Sequence, residues 1–295
     1  MPTRNYTRSL SRMRITRPAL FGGVKSPSLD LYFYLYAFLR LLTRLGGRPG
    51  WLDSYESFSQ HDRLRERKFR IRYMGYSLEF TLGETSLGLN VFSPAYERTE
   101  KGLVEILRPK YVLVVGAHLG AFTFLFARHA DLVVAVEPDP RAFAALMRNL
   151  LRNNVQNVLA FPYACHSESW RTVSLKLASA GRSTISDDGE VPVKTVAVDD
   201  LVRFAQMPRV DFVKIDVEGG ELEVLRGAEE TLRTHRPTLL VETSPETHGD
   251  IERLLLDLGY GRIGSLASYK SETKERTNHL YVKEASPRAS TSSRA

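Results

Sequence analysis

The chain has 295 residues, 43% of them hydrophobic, which supports one large α/β domain with an N-terminal addition. A single cysteine, Cys165, excludes an intramolecular disulfide and suits a reducing compartment, the cytoplasm. The net charge of +7 is uneven: residues 1–72 hold 15 Lys/Arg against 5 Asp/Glu, whereas the remainder holds 26 against 29. Residues 1–28 place Arg4, Arg8, Arg12, Arg14 and Arg17 among Ser, Thr and Pro and read as a disordered basic arm. Residues 29–45 read as a helix stopped by Gly46 and Gly47. Its apolar run, Leu31–Leu39, is shorter than the roughly 20 residues a bilayer needs. Tyr32, Tyr34 and Tyr36 with Arg40 and Arg44 suit either an interfacial helix or one packed on the domain. The first apolar run lacks a small-residue cleavage site, so no cleavable signal is expected.

Phe69–Met74 and Tyr76–Leu82 alternate around Gly75 and predict a hairpin, closing an extension over 29–95. Residues 96–108 predict an amphipathic helix ended by Pro109, and the domain proper is expected over 96–283. Apolar runs predict strands near 111–115, 132–136, 157–161, 210–215 and 238–242. Helices are expected near 121–129, 140–153, 219–234 (loosened at Gly227) and 246–258. Asp139 before Pro140 is a good helix start, and Gly259 after Leu258 a good stop. Val191–Val196 reads as an inserted strand, Asp199 as the cap of a short helix, and Asn278–Lys283 as a last strand. Residues 284–295 read as a disordered tail. The β/α alternation favours a mostly parallel sheet with right-handed crossovers.

Chemistry is concentrated at one loop. Val112–Val115 ends abruptly in Gly116-Ala117-His118-Leu119-Gly120, after which a helical pattern begins. Glycine lets a backbone approach a ligand, and a helix start offers N–H donors to a negative group. Twenty-one residues after Gly116, at the end of the next apolar run, stands Glu137, placed to take two ribose hydroxyls. The loop has two glycines rather than G-x-G-x-x-G, and no G-x-x-x-x-G-K-[S/T] occurs. S-adenosylmethionine (SAM) therefore fits better than a dinucleotide, because its one carboxylate needs fewer backbone donors than a pyrophosphate.

The sequence resembles the FkbM-type SAM-dependent methyltransferases over about residues 69–283. The resemblance is carried by Val-Val-Gly-Ala-His-Leu-Gly (114–120), Val-Glu-Pro-Asp-Pro (136–140), Asn-Leu-Leu-Arg-Asn-Asn (149–154), Val-Asp-Asp-Leu (198–201), Val-Lys-Ile-Asp-Val-Glu-Gly (213–219), Leu-Arg-Gly-Ala-Glu (225–229) and Val-Glu (241–242). The Lys-Ile-Asp-Val-Glu-Gly string is the specific one. The resemblance implies a Rossmann-like class I SAM-dependent methyltransferase fold, α/β, with a mostly parallel seven-stranded sheet and helices on both faces. It implies methyl transfer to hydroxyls of sugars, glycolipids or other small molecules. Two positions depart from the family: Val114 stands for its usual Asp and His118 for its usual Asn.

The expected cofactor cradle is Gly116, Ala117, His118, Gly120, Glu137, Ala164 and Asp216. Asp216 and Glu218, two apart on a strand end, share a face and are the best acidic candidates for catalysis. Lys214 alternates with Asp216 and either pairs with Glu242 across neighbouring strands or orients an acceptor. His166 and Cys165, after the third strand, are weaker candidates. Arg182, Ser183, Thr184 and Asp187 are placed to line an acceptor pocket. No His/Cys/Asp group has metal-ligand spacing, which predicts neither structural zinc nor a required metal. Two other readings stay open. The basic residues of 1–72 suit an RNA methyltransferase or contact with an anionic membrane surface. Val114 and His118 leave room for a SAM-binding protein without catalysis.

Overall fold

The computed structural model of the chain describes residues 66–93, 96–179, 182–266 and 276–283. The arm, the aromatic helix 29–45 and the tail fall outside these residues. The described residues all fall within one compact unit. No described helix is long and apolar enough to cross a membrane.

The described part opens with the hairpin β1 (Lys68–Tyr73) and β2 (Tyr76–Thr81), followed by two 3-10 turns at Leu82–Leu87 and Leu89–Phe92. Then come α1 (Arg98–Leu107), β3 (Tyr111–Val115), α2 (Ala121–Ala127), β4 (Leu132–Val136), α3 (Pro140–Arg152) and β5 (Val158–Phe161). A four-stranded excursion of β6 (Ala164–Cys165), β7 (Thr172–Lys176), β8 (Thr184–Ile185) and β9 (Val191–Val196) interrupts the alternation. It resumes with α4 (Val198–Phe204), β10 (Phe212–Ile215), α5 (Glu221–Arg226), α6 (Glu229–His235), β11 (Thr238–Thr243), α7 (Pro245–Asp257), β12 (Tyr260–Leu266) and β13 (Thr277–Lys283).

The main sheet has seven strands in the order β12-β13-β11-β10-β3-β4-β5, and only β13 runs against the rest. The β-branched strand residues bury both faces, as a parallel sheet between helices requires. On one face Val112, Val114 and Phe212 pack against α2, α3 and the hairpin. On the other Leu113, Val115, Val213 and Ile215 pack against α4 to α7. From β3 the chain winds outward through β4 and β5; after the excursion it returns on the other side through β10 and β11. The strand order therefore reverses between β3 and β10, and ligand crevices form at such a reversal.

Several details differ from the sequence expectations. The hairpin does not belong to a separate extension ending at residue 95: Leu78 and Phe80 are fully buried in the main core. Asn149 of α3 clamps it, accepting from the Glu79 N–H at 2.6 Å and donating to the Glu79 carbonyl at 3.1 Å. The helix expected over 219–234 is two helices, broken where a Cβ on Gly227 would meet the His166 carbonyl at 2.2 Å. Asp199 does not cap its own helix. Its carboxylate accepts from the backbone N–H groups of Glu230 and Thr231 at 3.0 and 2.7 Å, and so caps α6. Strand β12 was not anticipated, because Gly261 and Gly264 interrupt its alternation and a bulge falls at Arg262/Gly264.

Candidate functional site

The loop after β3 is stitched to β4 by its own amides. Gly116 and Ala117 both donate to the Val136 carbonyl, at 3.0 and 2.9 Å, and Gly120 donates to Ala117 at 2.9 Å. Four loop N–H groups, counting that of His118, are thus used internally. That leaves little for a pyrophosphate and agrees with the preference for a ligand carrying one carboxylate. The reason for Gly116 is also internal. Its φ is +82°, and a Cβ there would meet the Asp216 carbonyl oxygen at 1.8 Å. The glycine lets β3 and the end of β10 close together, rather than admitting a ligand.

Glu137 stands one residue past β4 and is 7% exposed. Its carboxylate accepts from the His118 N–H at 2.7 Å and the Asp139 N–H at 2.8 Å. Among the described residues no ion pair supplies it with a cation, and burial pushes its pKa up to about 7. Asp139 caps α3 and is clasped by Arg141 (2.6 Å) and by the Ser183 hydroxyl (2.7 Å). Arg141 also reaches the Ala178 carbonyl at 2.8 Å, so Ala178 and Ser183 are held at the Glu137 end of the crevice. His118 has a φ of +50°, and its Nε2 is buried without a partner among the described residues. Burial lowers its pKa and keeps the ring neutral.

The carboxyl ends of β10 and β11 hold a dense acidic cluster. The Lys214 ammonium is 2% exposed and lies 2.8 Å from Asp216 Oδ2, 3.7 Å from Glu97 Oε1 and 4.6 Å from the centre of the Phe122 ring. Burial opposes its charge, but Asp216 and Glu97 outweigh burial and hold it protonated. In return Lys214 outweighs burial at Asp216 and keeps that carboxyl below its usual range, with Glu242 donating a hydrogen bond to it. Glu218 has a φ of +56° and sits 3.3 Å from the Arg276 guanidinium. Burial and the nearby Asp216 push its pKa up to about 7. Burial and Asp216 push Glu242 up to about 9. Arg276 also meets Glu221 at 3.2 Å and Glu242 at 3.4 Å.

Asp216, Glu218, Lys214, His118, Gly116, Ala117, Gly120 and Glu137 therefore gather at one sheet edge, as expected. Lys214 faces Asp216 and Glu97 rather than pairing with Glu242, whose ion pair is Arg276. Ala164 is buried in a small cluster with Leu175 and Val193. The Cys165 thiol lies in the core, where burial raises its pKa to about 12 and removes it as a nucleophile. The His166 ring contacts Ser167, which bonds Glu223. Asp187 is exposed at a turn, Thr184 belongs to β8, and Arg182 is exposed beside the pinned Ser183. Sequence reasoning missed Glu97, Glu100, Arg276 and Asn278. The only sequence trace of the first two is a Glu97/Glu100/Lys101 spacing at one turn of α1, which reads as an ordinary solvated face. Glu97, His118 and Glu218 are all non-glycine residues with left-handed backbone, a strain that collects at functional sites.

Against known proteins, residues 115–261 match the methyltransferase FkbM domain. This segment belongs to the FkbM methyltransferase family. The hexuronic acid methyltransferase AglP of Haloferax volcanii is 33% identical over 123 residues, covering 41% of this chain and 50% of that protein. Methyltransferase 1 of Beauveria bassiana is 27% identical over 150 residues, covering 41% of this chain and 59% of that protein. The chain thus spans half the length of the first of these curated relatives and 59% of the second. A crystal structure of methyltransferase FkbM from Methylobacillus flagellatus KT aligns with a TM-score of 0.46 at 19% identity, covering 59% of this chain and 44% of that one. Glu97, Glu100, Arg276 and Asn278 fall outside the matched segment, so the acidic cluster is completed by its flanks.

Proposed function

We propose that the chain is a SAM-dependent O-methyltransferase acting on a hydroxyl of a saccharide, free or lipid-linked. The observation that carries this reading is Glu137: a buried carboxylate with no cation beside it among the described residues, fixed by two backbone N–H groups at the strand end next to the reversal point. Each carboxylate oxygen retains a lone pair, and the two hydroxyls of a ribose are neutral donors suited to them. The acidic cluster alongside favours a cationic ligand. Bound there, SAM supplies a methyl group on a positively charged sulfur.

The chain's residues then have three tasks. The Gly116–Gly120 loop and Glu137 hold the nucleoside end, and orientation of donor and acceptor supplies much of the rate. Asp216, kept ionised by Lys214, provides negative charge next to the reacting centre. Glu218, whose pKa lies near neutrality, accepts the proton of the acceptor hydroxyl on a carboxylate oxygen as the new carbon–oxygen bond forms, and Arg276 fixes its direction. The name of the Haloferax relative makes hexuronic acids the first acceptors to try.

The test is transfer of a radiolabelled methyl group from SAM to a panel of hexuronic acids, neutral sugars and glycolipids. Wild type should label at least one saccharide. Glu218→Gln should lower kcat by about 10²- to 10⁴-fold with unchanged SAM affinity, and remove a rate limb near pH 7. Undiminished transfer by Glu218→Gln would reject its role; SAM binding without transfer to any sugar would reject the acceptor class.

A further inference from the structure

The oxygen-bearing side chains at the edge of β10, β11 and β13 form a row. Ile215 is opposite Val241, and Glu242 is opposite Asn278, so Asp216, Glu242 and Asn278 follow one another across three neighbouring strands. Glu97 reaches the same place from the turn before α1. One carboxylate oxygen from each of Glu97, Asp216 and Glu242 lies within 4.8 Å of the others. Such proximity of like charges is costly unless protons or cations intervene.

Asn278 supplies an independent sign. Its residue is fully buried, and its amide nitrogen points into the cluster, 3.3 Å from Glu97 Oε1 and 3.3 Å from Glu100 Oε1. Among the described residues its Oδ1, however, has no partner, and neither has Oε2 of the equally buried Glu100. A buried amide oxygen left unpaired costs about 1–3 kcal/mol. A half-turn of the amide exchanges oxygen and nitrogen. That turn would bring oxygen toward carboxylates and becomes favourable only with a cation among them.

Charge arithmetic points the same way. Among the described residues Glu97, Glu100, Asp216, Glu218, Glu221 and Glu242 are six acids, whereas Lys101, Lys214, Arg276 and, acting on Glu218, Arg182 are four bases. Lys214 contacts one oxygen of Asp216, and the proton that Glu242 shares with that carboxyl is the one a bound cation would displace. We propose that Glu97, Asp216, Glu242 and Asn278 form a binding site for a hard divalent cation of the Mg²⁺, Mn²⁺ or Ca²⁺ class. An all-oxygen donor set with three carboxylates suits these ions, and the lack of sulfur and imidazole disfavours zinc. The four ligands are far apart in the sequence, so spacing gives no warning of them. The ion's use rests on the methyl-transfer reading: next to Glu218 it would bind the acceptor hydroxyl and make its proton easier to lose.

The probe is Mn²⁺, titrated into the full-length protein without SAM and followed by electron paramagnetic resonance and calorimetry. Wild type should bind one ion per chain. Glu242→Gln should weaken binding by about tenfold or more, and Asn278→Ala by several-fold. Lys214→Met, which removes the competing ammonium, should tighten it. Circular dichroism of each variant guards against loss of fold. Wild type that shows no saturable Mn²⁺ binding, or folded Glu242→Gln and Asn278→Ala variants that both bind like wild type, would overturn the site. SAM affinity is measured separately. SAM binding without Mn²⁺ binding sinks the ion site alone, and the reverse sinks the methyl-transfer reading alone.

Discussion

Replacing Lys214 by Met removes the cation that Asp216 and Glu97 share while keeping a side chain of similar length against Phe122. At an effective dielectric constant of about 20, unit charges about 4 Å apart attract by about 4 kcal/mol. Lys214 has one such contact at 2.8 Å and another at 3.7 Å. The cost of burying the ammonium cancels much of that attraction. Removing one partner of a buried pair nonetheless costs about 3–5 kcal/mol, because the other charge is left uncompensated. For a unit of this size, each 1 kcal/mol is worth about 2–4 °C, so the melting temperature should fall by roughly 10 °C at pH 7. The pH dependence has a definite sign. Lys214 is raised above 10.5, so its contribution is complete below that value and is lost as pH climbs through the higher folded one. Asp216 is lowered below 3.8, so its contribution is present above that value and is lost as pH falls through the folded one. The deficit should therefore hold through the neutral range and shrink in acid. Adding Asp216→Asn to Lys214→Met should recover more than half of it, since the stranded carboxylate is gone. Thermal and urea unfolding followed by circular dichroism read these differences. A loss below about 1 kcal/mol at pH 7, or a deficit that persists unchanged at low pH, would refute the assignment of Lys214 as the charge that holds the cluster together.

Asn149→Ala strands the N–H and the carbonyl of Glu79 in the core and should cost about 3 kcal/mol in urea unfolding. Gly116→Ala places a Cβ 1.8 Å from the Asp216 carbonyl and should destabilise by several kcal/mol or yield insoluble protein; native-like stability would contradict the close approach of β3 and β10. Glu137 and Glu218 both carry raised carboxyl values of about 7, so their ionisation opposes folding. Without ligand, stability should decline as pH rises from about 5 to about 8, and a nucleoside ligand that donates to Glu137 should flatten that slope in thermal scans.

The parallel strands were legible because each is a short apolar β-branched run bounded by turn residues; β3 and β4 appear at the predicted bounds. Asp139-Pro140 announced α3 for the same local reason, a cap and a ring-fixed φ. Glu137, Asp216 and Glu218 were legible because strand ends are fixed in sequence, and a sheet brings all of them to one edge. The rest depended on contacts that no local pattern encodes. Asp199 looked like a cap and is one, but for a helix that starts thirty residues later in sequence. Glu97 and Glu100 enter the site from α1, and Arg276 and Asn278 from beside and within β13, and only the closed sheet makes them neighbours. Burial of Glu100 and Lys101 on α1 reverses the ordinary reading of such residues as a solvated helix face. Gly116 was correctly singled out, but for ligand access, whereas its space is filled by the Asp216 carbonyl.

The cofactor assignment stands or falls with calorimetric titration of SAM and S-adenosylhomocysteine into wild type and Glu137→Ala. Wild type should bind with a Kd in the micromolar range, about −8 kcal/mol. Glu137→Ala, folded by circular dichroism, should lose about 10²-fold or more, because two ribose hydroxyls lose a charged acceptor. Equal affinity in the two proteins, or no binding by wild type, would contradict the placement of SAM at the end of β4.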